Sequence, residues 1–380
     1  MTLIELQQIL ARGEDTQHQF KQNITHSNSL TAEMVAMANT QGGKIFIGVN
    51  DKGEISGLSS EEIRRLNQLL SSAASDSVKP PINPLTEIIQ TDKGLLIVIS
   101  VPEGLNKPYT DNSGIIWVKS GVDKRRVTSR EEMQRMFQAA GLIYADEVPV
   151  LDTSPDELNQ QTFQAYYNKR YREALPEFSS RLLQNLRLLK DNQLTLTGLL
   201  LFGKNPQRFK PVFVVKAIVF PGNEVDISHY LDSEDIEGDL AQVYKNTFAF
   251  VQRNLHHVQK GQSVNSLGEL EIPPIVIEEL LVNALIHRDY FISAPIRLFI
   301  FQDRIELISP GQLPNHLTTE QIRYGLSNMR NPVLASHASH ILPYRGLGTG
   351  IPRVYQCYAD IEFTNDCEAN QFKVVIKRRL

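Results

Sequence analysis

The chain has 380 residues, 41% of them hydrophobic, and a formal net charge of −4; this length calls for two or three domains of roughly 150 residues, each able to bury a core. The slightly acidic balance excludes a protein that coats nucleic acid by charge alone, so any such binding needs a local basic patch, and the only cysteines, Cys357 and Cys367, stand without a Cys/His cluster, which excludes a zinc or disulfide framework. No apolar run nears the roughly 18–20 residues of a membrane span, and the start Met1–Leu6 does not read as a signal peptide, so no membrane partner and a cytoplasmic setting are expected.

In chain order, residues 1–140 give an α/β pattern. Leu3 to Leu10 is a short amphipathic helix. Glu14 to Lys21 alternates like a strand entering a sheet. Thr31 is expected to cap a helix that Gly42-Gly43 stops. Lys44 to Val49 is a strand that ends in the turn Asn50-Asp51-Lys52-Gly53. A helix over Ser60–Ser72 follows, then strands near Leu95–Val101 and Ile115–Lys119. Ser129 and Glu132 form a capping box for a last helix. Residues 141–157, acidic and carrying two prolines, read as a linker. The rest of 141–210 is a helical middle segment, and Tyr166, Tyr167, Lys169, Arg170, Tyr171 and Arg172 either touch a ligand or pack between domains.

Over 211–380 the pattern is again α/β: a buried strand at Val212–Phe220, a helix at Gly238–Leu255 and a connection at Ser263–Pro274. A helix over Ile275–Asp289 leads to a hairpin of Ile296–Phe301 and Arg304–Ile308. The loop Ser309-Pro310-Gly311-Gln312-Leu313-Pro314 comes next. The glycine-rich loop Gly346-Leu347-Gly348-Thr349-Gly350 opens a helix through Tyr358, and two strands close the chain.

Three groups of residues carry chemistry. Glu14 and Asp51 are either converging metal-binding carboxylates or solvated turn residues. Lys119, Lys124, Arg125, Arg126 and Arg130 cluster about the turn Ser120-Gly121 with Lys107 and Tyr109 nearby. That is either a patch gripping phosphates while one aromatic stacks, or a solvated charged face balanced by Asp123, Glu131 and Glu132. Glu279, Asn283 and His287 recur every four residues and so share one helix face. The stripe is either a polar outer face or a site with Glu279 as general base and Asn283 on a metal or phosphate oxygen.

Residues 10–140 resemble the Schlafen-type AlbA domain of bacterial proteins labelled transcriptional regulators. The likeness runs through Gln19-Phe20-Lys21, Met37-Ala38-Asn39-Thr40-Gln41-Gly42-Gly43, Ile47-Gly48-Val49 with Asp51 and Gly53, and Lys107-Pro108-Tyr109. The resemblance implies nucleic-acid binding. A related domain in animal Schlafen proteins is an RNase with three carboxylates, two of which would fall on Glu14 and Asp51. The third falls on Gln19, whose neutral amide is a poorer metal ligand and no base, so this copy is expected to bind rather than cut.

The order helix, hairpin, Pro-Gly loop, glycine-rich loop, helix resembles the GHKL (Bergerat) ATPase fold, an α/β sandwich. The resemblance implies that Glu279 activates water and that Asn283 coordinates magnesium. It also implies that His287, Gly311, Gly346, Gly348 and Gly350 belong to the nucleotide site, the loop binding phosphates by backbone N–H groups at a helix start. The family's adenine-reading aspartate has no counterpart in Ser309-Pro310-Gly311. Leu200–Pro206, the residues 283–290 and Arg330-Asn331-Pro332 match the divergent form that accompanies Schlafen-type AlbA domains.

The expected whole is an α/β (α+β) protein with an AlbA domain (1–140), a linker and helical middle segment (141–210) and a GHKL-like domain (211–380). Its expected function is that of a nucleic-acid-binding regulator, on DNA rather than RNA, that senses or slowly hydrolyses ATP with Mg and self-associates. The alternatives are a metal-dependent nuclease and a dimerisation scaffold with a degenerate ATPase domain.

Overall fold

The computed structural model describes residues 1–175, 177–226, 228–259, 268–314 and 317–378. Residues 263–267 of the connection expected at 263–274 lie outside them. The fold is mixed α+β, in two compact units, Met1–Ile143 and Tyr144–Leu380.

The first unit runs α1 (Leu3–Arg12), β1 (His18–Lys21), α2 (Ser27–Asn39), β2 (Gly43–Ile47), α3 (Ser60–Ser72), β3 (Leu85–Thr91), β4 (Gly94–Val101), β5 (Trp117–Ser120), β6 (Asp123–Arg126) and α4 (Arg130–Ala139). Four strands form one sheet in the order β1-β2-β4-β3. β1 is parallel to β2 and the other pairs are antiparallel. Period-two alternation divides β2 between two cores. Ile45 and Ile47 join Leu30, Met34 and Met37 of α2, while Phe46 joins Phe20 and Leu6 on the α1 side. Helix α2 begins at Ser27, four residues before the expected cap, and His26 precedes it without a side-chain cap bond. Thr31 is buried inside the helix with its hydroxyl unbonded. The exposed edge strand β3 escaped the sequence reading because it lacks alternation: its first four residues all face solvent.

The second unit opens with α5 (Gln160–Tyr171), α6 (Ser180–Asn185), the short ladder β7 (Leu189–Lys190) and β8 (Gln193–Leu194), α7 (Leu196–Phe202) and α8 (Pro206–Phe209). It continues with β9 (Val215–Val219), β10 (Asp232–Ile236), α9 (Leu240–Arg253), a second ladder β11 (His257–Val258) and β12 (Glu269–Leu270), and α10 (Pro274–His287). Last come β13 (Ile296–Ile300), β14 (Arg304–Pro310), α11 (Thr319–Arg323), α12 (Pro332–Ala338), α13 (Gly350–Cys357), β15 (Ile361–Asp366) and β16 (Gln371–Lys377). The six-stranded sheet has the order β10-β9-β13-β14-β16-β15, with β9 and β13 parallel. One core joins that sheet to α9 and α10 and takes in the middle segment: Ala145, Val150, Leu158, Phe163, Tyr166 and Phe202 are all buried in it. Asp146, within the stretch read as a linker, is fully buried and accepts the Leu334 N–H at 2.8 Å. Tyr166 and Arg170 converge on His337, so those two pack inside this unit. Among the described residues no helix is long and apolar enough to cross a membrane.

Candidate functional site

Helix α10 is apolar nearly all round. Val276, Ile277, Leu280, Leu281, Val282, Ala284, Leu285 and Ile286 are buried. Its polar residues are Glu278, Glu279, Asn283 and His287, and the last three form a stripe that lines a cleft inside the second unit. That cleft is open to solvent at its mouth. Its far wall is the sheet, with Leu307, Phe363, Phe372 and Val374. Gly311, Gly346, Gly348 and Gly350 line it as well. All seven residues marked in the sequence for nucleotide and catalysis therefore share one cavity.

The end of α10 is fixed by a buried polar knot. Asn331, fully buried, donates to the carbonyls of Ile286 and Arg288, 2.9 Å each. The Tyr290 hydroxyl donates to Leu285 O at 2.8 Å, and Asp289 N–H donates to Pro310 O at 2.8 Å. These bonds satisfy C-terminal carbonyls that a helix leaves unpaired. They also seat the Ser309-Pro310-Gly311 turn against α10, with Gly311 at φ +100° and no room for a β-carbon beside Arg330 and Asp289.

On the other side of the cleft, Gly346 and Gly348 take φ +67° and +70°, values that favour glycine. Gly348 lies against the Gly325 carbonyl, where a β-carbon would come within 2.1 Å. Helix α13 then starts at Gly350 with no side-chain cap. Its first N–H groups carry the positive end of the helix dipole into the cleft.

Glu279 accepts a 2.6 Å hydrogen bond from Arg353. Burial holds its carboxyl above the usual range, and the Arg353 charge opposes this. The Asn283 side-chain amide makes no hydrogen bond among the described residues. His287 lies 3.3 Å from the Tyr344 hydroxyl; burial and the nearby Arg330 charge push it down to about 4. Burial, then the Glu279 charge, pushes Tyr344 up to about 12. Two cations of this cleft, Arg345 and Arg353, went unmarked in the sequence; a basic residue on each flank of the glycine-rich loop was the available signal. Apart from Glu279, no carboxylate among the described residues lines the cleft.

The neutral histidines make an acid-lability prediction. His337 is also pushed down to about 4, mainly by burial. The unfolded chain takes up protons on both histidines below about pH 6.5 while the native state does not. Asp146 works the other way: burial raises it to about 6, so the native state gains one proton there. From these three groups the net is one extra proton on the unfolded chain, and their contribution to stability is expected to fall by about 1.4 kcal/mol per pH unit from about pH 6 to pH 4. His287→Gln is expected to flatten that slope, read by urea denaturation at several pH values. An unchanged slope would contradict the assignment.

The first unit places its marked residues differently. Tyr109 is 5% exposed, its ring packed over Gly104, so it offers no stacking face; this corrects the expected aromatic contact. Asn39 explains that burial: its amide donates to Tyr109 O and Trp117 O at 2.9 Å and accepts the Tyr109 N–H at 2.7 Å. Lys107 donates to Thr40 O and Glu103. Lys119 is buried, donates to Gln19 and to Val122 O, and sits 3.8 Å from Glu33. Lys119 is thus a structural cation rather than a phosphate grip, while Lys107 stays partly exposed. Lys124 pairs with Glu33, and Arg125 pairs with both oxygens of Glu132. Arg126 lies exposed over the Trp117 ring at 5.1 Å, and Arg130 is exposed.

Glu14, half-buried, accepts from the Gln19 amide and from Phe20 N–H, while Asp51 stands exposed in its turn. No group of three or more His, Cys, Asp or Glu among the described residues is placed to hold a metal ion.

Residues 14–128 match the family model described as Schlafen, AlbA_2, and residues 293–376 match one described as "Putative ATP-dependent DNA helicase recG C-terminal". The second match takes in Gly311, Gly346, Gly348 and Gly350 but starts after α10. Among solved structures, the chain is similar to the DIP2311 protein from Corynebacterium diphtheriae at TM-score 0.48 and 20% identity, over 99% of this chain and 80% of that one. It is also similar to the N-terminal domain of a "Putative ATP-dependent DNA Helicase RecG-related Protein" from Nitrosomonas europaea, at TM-score 0.24 and 22% identity, over 33% of this chain and 92% of that one. A comparison with curated proteins gives no match.

Proposed function

We propose, starting from a chain that joins a Schlafen AlbA_2 domain to an ATPase-like domain of the RecG C-terminal kind, that it is a nucleic-acid-binding regulator whose second unit binds and slowly hydrolyses a nucleoside triphosphate. The two matched domains make it a nucleic-acid-associated protein; regulation, DNA as the partner, a cytoplasmic setting and self-association are the finer parts of this reading. Its main support is the convergence of Glu279, Asn283, His287 and the four glycines on one cleft.

The residues fit the ligand. The uncapped start of α13 and the Arg345 and Arg353 guanidiniums suit a polyphosphate. The apolar wall of Leu307, Phe363 and Phe372 suits a flat ring system. The unbonded Asn283 amide offers an oxygen to a magnesium ion, which takes one or two protein ligands beside phosphates and supplies charge neutralisation on them. Glu279 is the base. A water oxygen forms a bond to the terminal phosphorus as the bond to the bridging oxygen breaks; that oxygen leaves with the electron pair on the diphosphate, and Glu279 takes the proton from water. On the first unit, exposed Arg126 and Arg130, with Arg125 beside them, are the phosphate contacts. The nuclease alternative draws no support from Glu14, whose carboxylate is already bonded to Gln19 and Phe20.

Calorimetry of the full chain with a non-hydrolysable ATP analogue and magnesium tests the cleft. Binding is expected, and Asn283→Ala should remove its dependence on magnesium. For the first unit, the double variant Arg126→Ala/Arg130→Ala should weaken binding to a DNA duplex about tenfold and reduce the salt slope by about 2. No analogue binding, or an unchanged salt slope, sinks the corresponding half.

A further inference from the structure

Glu279 does not stand free in the cleft. One carboxylate oxygen is bonded to Arg353 at 2.6 Å. The other lies where a β-carbon on Gly350 would come within 2.5 Å of it. The carboxylate is therefore set against the first residue of α13, between an uncapped helix start and a guanidinium. That pairing is the one an incoming anion seeks. The other groups facing Glu279 are Arg345 from the loop before α13, Glu278 on α10 itself, and the hydroxyls of Tyr344 and, from α9, Tyr244. Arg345 is exposed and makes no ion pair among the described residues.

We propose that the Glu279–Arg353 pair is an internal substitute for the ligand's terminal phosphate, and that Arg353 passes from Glu279 to that phosphate when a triphosphate enters. The proposal rests on the reading of the cleft as a triphosphate site and adds its regulation. A carboxylate held by a guanidinium is a weaker base than the same carboxylate released, because taking a proton would cost the pair. Passage of Arg353 to the phosphate arms Glu279 only when the group to be cleaved is present. A diphosphate has no terminal group to receive Arg353, so the clasp stays closed over it. Arg345 breaks no pair when it meets a phosphate, so it holds either nucleotide without telling them apart. The competition is reciprocal: whatever loosens the clasp strengthens triphosphate binding by the same factor.

The test is calorimetry on the full chain with magnesium, using ADP and a non-hydrolysable ATP analogue. Wild type is expected to prefer the analogue about tenfold. Glu279→Gln removes the competing charge, and should tighten analogue binding about fivefold, the size of a half-exposed ion pair, with ADP little changed. Arg353→Met should erase the preference between the two, and Arg353→Lys should restore part of it. Thermal melting of each variant identifies any that fails to fold. If Glu279→Gln leaves the analogue no tighter, or Arg353→Met weakens both nucleotides equally, Arg353 is a packing residue and the proposal falls while the nucleotide reading stands. If wild type binds neither nucleotide, both fall together.

Discussion

Gly348→Val is expected to weaken nucleotide binding by at least about a hundredfold. Two independent costs act on it. At φ +70° a β-branched residue is strained by about 1–2 kcal/mol. Its β-carbon would also lie 2.1 Å from the Gly325 carbonyl oxygen and 3.1 Å from the carbonyl carbon. Those are backbone atoms, so no rotamer relieves the clash and the two loops must part. An ångström of displacement in a binding constellation costs about two orders of magnitude, and this loop sets where the start of α13 points. Gly346→Ala is the control. There the added carbon meets only the Tyr344 ring at 3.5 Å, so only the left-handed strain remains and binding should change a few fold. Calorimetry on both variants checks this; equal effects would mean that the close approach of Gly325 and Gly348 does not shape the site.

Asn39→Asp carries the largest expected effect on stability, about 3–4 kcal/mol. Asn39 is 7% exposed and its amide group faces two carbonyls, of Tyr109 and Trp117. A carboxylate there sets oxygen against oxygen and leaves both carbonyls unpaired. With whole-domain stability of about 5–15 kcal/mol, the first unit loses a large share. Trp117 is the only tryptophan and sits at this joint, so its fluorescence during urea denaturation reports this unit. Acidification should return part of the loss, since the introduced carboxyl, once protonated, regains one donor. A denaturation midpoint equal to wild type would refute the account.

What the sequence revealed and what it hid divide along a physical line. The α10 stripe and the glycine-rich loop were legible because helical period and left-handed glycines are local properties. That the stripe faces a cavity was not local: it depends on the sheet closing opposite it. The basic residues near Gly121 looked alike in the sequence, but three-dimensional pairing sorts them. Glu33, far away on α2, takes Lys124 and lies near Lys119, whereas Arg126 and Arg130 stay at the surface. Tyr109 read as a surface aromatic because its partner, the Asn39 side chain, lies 70 positions earlier. Strands β3 and β10 were invisible for another reason. Each is an edge strand with little of the buried alternation that announces a strand.

The apolar wall of the cleft is not uniform in stiffness. Leu307 rides on β14, with bonded neighbours on both sides, while Phe363 rides on β15, which has one neighbour and ends the sheet. The opening free energy of a strand falls as fewer ladders hold it, so amide exchange should quicken across the cleft from β14 to β15. The ring stack of Phe363 on Phe372 is thereby hinged along its outer edge. On the proposed nucleotide reading, the glycines and the α10 knot would hold the phosphates to a fixed end, and the edge strand β15 would give the ring end its play. Such a site holds the charged half of a ligand to close tolerance and lets the flat half find its own fit.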